Sequence, residues 1–214
     1  MDSNRLVERC QRGDAEAFQQ LFRAHRDDVT RLAQRMLGRA TDLEDIVQEV
    51  FLQVHRSIRD FRHGARFSTW LYRVTVNVVL MHRRAAKSRP VFGEAPESLA
   101  AVDHRPFADE QVEQRRRVQA FHRLLDRLSE KKRVVFVLHE LEGLAPAEIA
   151  KIVGSPVLTV RTRLFYARRE LLAMLGGEPS LASLASFATE LSDAERTDEA
   201  TAEPPSDSAA KEPA

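Results

Sequence analysis

A segment at residues 90–112 most constrains the fold of this chain, because it separates two blocks that are each rich in helical patterns. Three prolines and a glycine interrupt the segment, and its apolar residues follow no helical spacing. In the flanking blocks, glycine and proline are scarce and apolar residues recur every three or four positions, which is typical of amphipathic helices. We therefore predict an all-α protein with two small helical domains, at residues 1–89 and 113–176, joined by a flexible acidic linker.

Charge follows the same division. The chain of 214 residues has a formal net charge of +1, but residues 1–90 sum to +6, residues 91–112 to −4, residues 113–176 to +6 and residues 177–214 to −7. Two basic blocks indicate a polyanionic partner such as nucleic acid, with solvated surface charge as the alternative. The acidic tail, rich in Ser, Ala and Pro, is predicted to be disordered, apart from one weak helix near its start.

Several classes of protein are excluded by simple patterns. No apolar run approaches the roughly 20 residues that a membrane span needs, and the N-terminus lacks the charged and then apolar pattern of a signal peptide. The single cysteine, Cys10, excludes an internal disulfide and a multi-thiolate metal site. We expect a cytoplasmic protein with no direct membrane insertion, no catalytic residue, no metal and no cofactor.

The predicted helix at residues 43–58 has an unusual polar side. Its apolar stripe faces the core, but Leu52 lies on the opposite side among acids and glutamines. An apolar anchor ringed by polar residues is typical of a protein interface, whereas a plain solvated face and a carboxylate metal site are the alternatives. The candidate interface residues are Asp42, Glu44, Asp45, Gln48, Glu49 and Leu52.

Residues 61–73 interleave four aromatic residues with three arginines. Flat rings can stack on unpaired bases while arginines neutralise phosphates, so the stretch suits single-stranded nucleic acid. Packing of Trp70 and Leu71 into the domain core is the alternative. The candidate residues are Phe61, Arg62, Arg66, Phe67, Trp70 and Arg73, with Asn77 one helical turn beyond.

A helix-turn-helix is predicted near the end of the second block. A short helix starts at Pro146, Gly154 suits the tight turn, and Thr159 is the expected N-cap of a second helix. The face of that helix opposite its apolar stripe carries arginine, threonine and aromatic side chains, which can contact base edges and phosphates in a major groove. A plain helical hairpin is the alternative. The candidate DNA-binding residues are Arg161, Thr162, Arg163, Phe165, Tyr166 and Arg169.

Together these stretches resemble the sigma-70 family of initiation factors, in its small extracytoplasmic-function (ECF) group. The resemblance extends from about residue 16 to residue 175. It is carried by the acidic stretch at residues 42–51, by the FSTWLYR sequence at residues 67–73 and by the helix-turn-helix with its Glu142-Gly143 pair. Each motif is moderately specific alone, but the three in this order and spacing are highly specific.

The resemblance implies partners and roles. The acidic helix would dock on the β′ clamp helices of core RNA polymerase. The β subunit of the polymerase would be a further partner. The aromatic and basic stretch would bind and melt the −10 promoter element, and the helix-turn-helix would read the −35 element. An anti-sigma factor, often membrane-anchored in this family, would control the protein.

Several residues depart from the family pattern, among them Ser129, where Pro is frequent, and Ala145-Pro146 in place of a Ser/Thr-type helix start. Val76 stands where Arg is common, Met81 where Asp is frequent, and Leu158 where Gly is frequent. The added bulk of Leu158 predicts an altered −35 preference. An alternative function is a two-domain helix-turn-helix repressor that acts without polymerase, and a recombinase or nuclease is a third.

Overall fold

The computed structural model describes residues 3–38, 42–62, 64–88 and 108–181. Most of the predicted linker and of the acidic tail lies outside these ranges, as do the tail residues of the predicted weak helix after Leu181. In the described ranges the regular elements are helices, which agrees with the predicted all-α class.

The first domain is a bundle of four helices. They are α1 (Ser3–Gln11), α2 (Ala15–Leu37), α3 (Leu43–Ser57) and α4 (Phe67–Ser88), with a 3₁₀ turn at Ile58–Asp60. Asp14 caps the start of α2, because its carboxylate accepts from the Ala17 N–H at 3.0 Å and thus satisfies one unpaired backbone donor. The helices pack around fully buried aliphatic side chains, which include Leu21, Leu32, Met36, Val50, Val54 and Leu71.

The second domain also has four helices. They are α5 (Ala108–Arg127), α6 (Glu130–Phe136), α7 (Pro146–Val153) and α8 (Val157–Leu175), followed by a 3₁₀ turn at Pro179–Leu181. Helix α6 continues into a π-helical turn at Val137–Leu141. The core of this domain includes the buried residues Leu125, Leu138, Ile149, Val160, Leu164 and Leu171.

Two predicted helix starts differ from the structure. Helix α5 begins at Ala108, inside the segment predicted as linker. Helix α8 begins at Val157, so Thr159 lies within its first turn and is not the N-cap. The reason is Pro156, whose φ of −56° and ψ of 147° end the preceding turn, and whose carbonyl accepts from the Val160 N–H at 3.1 Å.

The two domains pack against each other. The prediction of two domains on a flexible linker did not include this contact. Helix α4 of the first domain contacts α7 of the second, and α2 contacts the π-helical turn. At one point the His122 side chain packs closely against the Gly38 backbone, because a Cβ added to Gly38 would lie 3.0 Å from Cγ of His122. Gly38 also has a φ of 72°, which favours glycine. Burial lowers the pKa of His122, with Asp126 opposing this shift.

Ionic contacts also join the domains. Arg83 of α4 donates to the Asp126 carboxylate at 3.1 Å, and the same carboxylate accepts from the buried Arg133 at 2.6 Å. Arg84 donates to both carboxylate oxygens of Glu130, at 2.6 and 3.3 Å. Asp126 therefore holds one guanidinium from each domain.

Candidate interaction surfaces

The exposed side of α3 carries the first candidate surface, which we call the acidic helix surface. The side chain of Leu52 is 50% exposed in the midst of polar neighbours. Two of the acids make surface ion pairs: Glu44 with Arg26 at 3.2 Å and Glu49 with Arg56 at 3.9 Å. Exposed pairs of this kind contribute little to stability. The surface comprises Asp42, Glu44, Asp45, Gln48, Glu49 and Leu52, of which Glu49 is half-buried and the others are exposed.

The acids of the acidic helix surface do not converge into a cluster in the part of the chain that the structure describes. No group of three or more His, Cys, Asp or Glu side chains comes together there in a way that could hold a metal ion. The acids instead lie along an exposed helix face, with their carboxylates available to a partner. An exposed Leu in such a ring of carboxylates has the chemistry of an interface anchor.

The aromatic stretch corrects one part of the sequence analysis. Phe61 and Phe67 are buried, at 6% and 2% exposure, and so neither ring offers a free face to a base. They pack edge to face with centroids 5.9 Å apart, and Trp70 lies 5.4 Å from Phe61. The alternative of core packing, considered for Trp70 and Leu71, therefore applies to these two phenylalanines. Trp70 itself is half-buried.

The polar candidates in the same region remain accessible. Arg62 and Arg66 are exposed around the loop, and Arg73 and Asn77 are exposed on α4. Sequence reasoning missed Gln11 of α1, whose amide donates to the carbonyls of Ile58 at 3.0 Å and of Phe61 at 2.9 Å. Gln11 thereby anchors the start of the loop. A contact across about 50 residues leaves no periodic signal in the sequence.

Arg73 and Asn77 also line a crevice between the two domains. The crevice has a volume of about 390 Å³. Its opposite wall is formed by α7, by the turn at Gly154 and Ser155, and by Arg163 of α8. The buried Val76 belongs to the same lining, so the residue that departs from the family pattern lies at the domain contact.

The outer face of α8 forms the second DNA-binding candidate, which we call the outer α8 face. Phe165 and Tyr166 are 59% and 44% exposed, and their rings meet edge to face at 5.4 Å. The Arg169 guanidinium lies 5.9 Å from the centre of the Tyr166 ring. The Thr162 hydroxyl donates to the Leu158 carbonyl at 2.9 Å, so it is already satisfied within the helix. The face comprises Arg161, Thr162, Phe165, Tyr166 and Arg169, all exposed.

Arg163 is separated from that face. It is half-buried, donates to the Ser155 hydroxyl at 3.1 Å and lines the interdomain crevice. Leu158, by contrast, is 74% exposed in the first turn of α8. The structure thus brings five of the six helix-turn-helix candidates together and adds Leu158 beside them.

Comparison with known proteins decides the family. Residues 21–89 match Sigma-70 region 2, and residues 118–171 match Sigma-70, region 4. The chain is 32% identical over 173 residues to the RNA polymerase sigma-H factor of Pseudomonas aeruginosa, covering 78% of this chain and 90% of that protein. It is 36% identical over 170 residues to the ECF RNA polymerase sigma-E factor of Haemophilus influenzae, covering 76% and 89%. The chain belongs to the ECF group of the sigma-70 family.

Solved structures agree with this assignment. CnrH, solved in complex with the cytosolic domain of CnrY, superimposes with a TM-score of 0.61 at 25% identity, covering 83% of this chain and 99% of that one. The sigma factor RpoE from Bartonella quintana, solved with the anti-sigma factor NepR, shares the fold at a TM-score of 0.56 and 21% identity, covering 76% and 98%. As an ECF sigma factor the protein is a transcription initiation factor, which favours this function over the repressor.

The described helices of this sigma factor include none that is both long and apolar enough to cross a membrane. Its two family matches fall on the two helical domains, and the residues between them include the predicted linker. The acidic helix surface lies within the region 2 match, and the outer α8 face lies within the region 4 match.

Proposed function

We propose that this sigma factor docks on core RNA polymerase through the acidic helix surface, binds the −10 element with the loop and exposed face of α4, and reads the −35 element with the outer α8 face. Docking involves the β′ clamp helices, with further contacts to the β subunit. The protein acts in the cytoplasm, where the polymerase and the chromosome are, and forms no covalent bond itself.

One observation carries the docking part of the proposal. Leu52 is half exposed, whereas the apolar residues on the opposite side of the same helix, such as Val50 and Val54, are fully buried. Core packing does not explain an apolar side chain in that position. A partner that covers Leu52 and places basic groups against Asp45 and Gln48 would satisfy both the anchor and its rim.

The experiment is a binding measurement with purified core polymerase. We expect Leu52→Glu to weaken the affinity at least tenfold, because a charge would replace the buried anchor. Val118→Glu is the matched control, since Val118 of α5 is 49% exposed and lies outside every proposed surface. Equal affinities of the two variants would contradict the docking site.

The promoter contacts follow from charge and exposure. In the first domain, Arg62, Arg66 and Arg73 offer phosphate contacts, while the half-buried Trp70 and the exposed Asn77 can contact a base. In the second domain, Arg161 and Arg169 can donate to base edges or phosphates, and Phe165 can contact a thymine methyl group. We leave Phe61 and Phe67 out of the proposed contacts because their rings are buried.

We also propose that an anti-sigma factor controls the protein. The support is the similarity to CnrH, which is solved with the cytosolic domain of CnrY and covers 83% of this chain. The test is to capture proteins from the membrane and soluble fractions of the native cell on the tagged sigma factor. A captured protein that suppresses sigma-dependent transcription with purified components supports the proposal, and one that leaves transcription unchanged does not.

A further inference from the structure

The Glu142 carboxylate occupies a pocket that belongs to the other domain. Its oxygens accept from Arg35 at 2.8 Å and from the Tyr72 hydroxyl at 3.3 Å, and Arg31 lies 3.7 Å away. The Glu142 side chain is only 3% exposed. We call Arg31, Arg35 and Tyr72 the carboxylate pocket. Among the described residues, every recorded partner of this carboxylate lies on α2 or α4 of the first domain.

The local backbone aims Glu142 at this pocket. Helix α6 widens into the π-helical turn at Val137–Leu141, and the Glu142 N–H then donates to the Val137 carbonyl at 3.0 Å. Gly143 follows with a φ of 72°, which ends the helix. Arg35 also donates to the Leu141 carbonyl, one of those left unpaired by the end of the helix. The first domain thus satisfies both a side chain and a backbone group of the second.

The same packing places α7 opposite the part of α4 that we assign to the −10 element, where Val76 is buried and Arg73 and Asn77 keep exposed side chains. Arg73, Val76 and Asn77 line the interdomain crevice opposite Ile152 and Gly154 of the helix-turn-helix. A DNA strand laid along this side of α4 would meet α7. A strand on this side of α4 and the helix-turn-helix would therefore compete for the same space.

We propose that the free sigma factor is held in a closed state by Glu142 in the carboxylate pocket, and that the domains separate before α4 engages the −10 strand. This inference rests on the proposed function for its consequence but not for the closed state itself. On opening, the Glu142 carboxylate and the Arg31 and Arg35 guanidinium groups exchange their mutual contacts for water.

The closed state lowers the apparent affinity for DNA, and this reduction can be measured as a fold-change. When only the open form binds, the apparent dissociation constant is the intrinsic one divided by the open fraction. A closed fraction of about 80% would weaken the apparent affinity for the strand about fivefold. A variant that cannot close should recover this factor.

The test measures the distance between the domains in the free, full-length protein. Fluorophores are attached at Asp60→Cys and Ala173→Cys, two exposed positions on different domains, in a Cys10→Ala background. We expect Glu142→Gln to shift the energy-transfer efficiency relative to the unmodified sequence. Glu140→Gln is the matched control, because Glu140 pairs with Arg168 of α8 at 2.7 Å within its own domain.

Charge reversal distinguishes a specific contact from general disturbance. Glu142→Arg should open the protein, and adding Arg35→Glu should restore part of the original energy transfer. Circular dichroism of each variant checks that the helices remain. If Glu142→Gln and Glu142→Arg both give the energy transfer of the unmodified sequence and of Glu140→Gln, the closed state held by Glu142 is wrong.

A second readout separates this inference from the proposed function. The probe is a labelled single-stranded oligonucleotide of about 12 bases, taken from the non-template strand of a promoter that the protein transcribes. We expect Glu142→Gln to bind it about fivefold more tightly. A changed distance with unchanged oligonucleotide affinity would overturn the claim that closure masks α4. Loss of affinity in Asn77→Ala, measured in the open variant, checks the −10 site separately.

Discussion

The outer α8 face and the crevice side of α4 are both proposed to bind promoter DNA, but they differ in how the other domain packs against them. On α8, Phe165 is 59% exposed and Leu158 is 74% exposed, so no described part of the chain covers them. On α4, Val76 is 3% exposed and lines a crevice that the helix-turn-helix closes. The outer α8 face is thus open in this structure, whereas the crevice side of α4, with Arg73 and Asn77, faces the second domain.

This difference indicates which of the two surfaces can be regulated through the domain contact. A surface that is already exposed can be regulated only by a competitor, but a surface in a domain contact can also be regulated through the contact. We therefore expect substitutions of the ionic groups at the contact to change the accessibility of the α4 surface most clearly. These groups are Glu142 and Asp126 in the second domain and the arginines in the first.

The largest expected effect is on the free energy of unfolding, and it distinguishes the buried aromatic residues of the first domain from the exposed ones on α8. Phe67 is 2% exposed beneath the loop, so Phe67→Ala should lower the free energy of unfolding by about 3–5 kcal/mol. Phe165→Ala should change it by less than about 0.5 kcal/mol, because that ring faces solvent. Urea denaturation of both variants measures this. A small loss for Phe67→Ala would return that ring to the list of DNA-binding candidates.

The next effect concerns the open surface on α8. Arg161→Ala should weaken binding of the polymerase holoenzyme to its promoter by about 1–3 kcal/mol, the range of a good base contact. Arg168→Ala is the control, since Arg168 pairs with Glu140 on another side of α8. Promoter binding can be followed by fluorescence anisotropy at fixed salt. Similar losses in both variants would indicate a general charge effect.

A smaller effect is expected at Asp126, which joins the domains. Asp126→Asn weakens the hold on Arg133, a buried guanidinium whose Nε already has no hydrogen-bond partner in the described part of the chain. We expect a loss of about 1–2 kcal/mol in the free energy of unfolding, because the Asp126 carboxylate is itself half exposed. Thermal unfolding of Asp126→Asn beside Asp60→Asn, an exposed acid, checks this; equal stabilities would contradict it.

The smallest effect is a dependence on pH. Burial lowers the pKa of His122, beside Gly38 at the domain contact, and that of His25 inside the first domain. Because the unfolded chain holds these protons more tightly, stability should be full above a pH of about 6.5 and fall as the pH drops through the folded pKa values. Unfolding at pH 7.5 and 5.5 measures the loss. His122→Gln should reduce this loss of stability. An unchanged loss would mean that other groups cause it.

Much of the fold followed from periodicity. The predicted helix at residues 43–58 is α3 (Leu43–Ser57), and the short helix, Gly154 turn and second helix appear as α7 and α8. These features are local, since each depends on residues within a few turns. Leu52 and Phe165 could be selected for the same reason, because a helical wheel shows a side chain on the wrong side for burial.

The domain contact could not be predicted in this way. Glu142 and Arg35 are separated by 107 positions, and each looks like an ordinary surface charge in the sequence. The burial of Phe61 and Phe67 was equally ambiguous, because a ring that packs in a core and a ring that stacks on a base have the same residue type. Only the positions of α1 and α4 distinguish them.

The most direct test of the comparison measures thiol reactivity on both surfaces. Val76→Cys and Phe165→Cys are each placed in a Cys10→Ala background and exposed to a thiol reagent in the free protein. We predict at least a tenfold slower reaction at residue 76, and a faster reaction there when Glu142→Gln is added, with no change at residue 165. Equal rates at both positions, or no response of residue 76 to Glu142→Gln, would contradict the closed arrangement of the two domains.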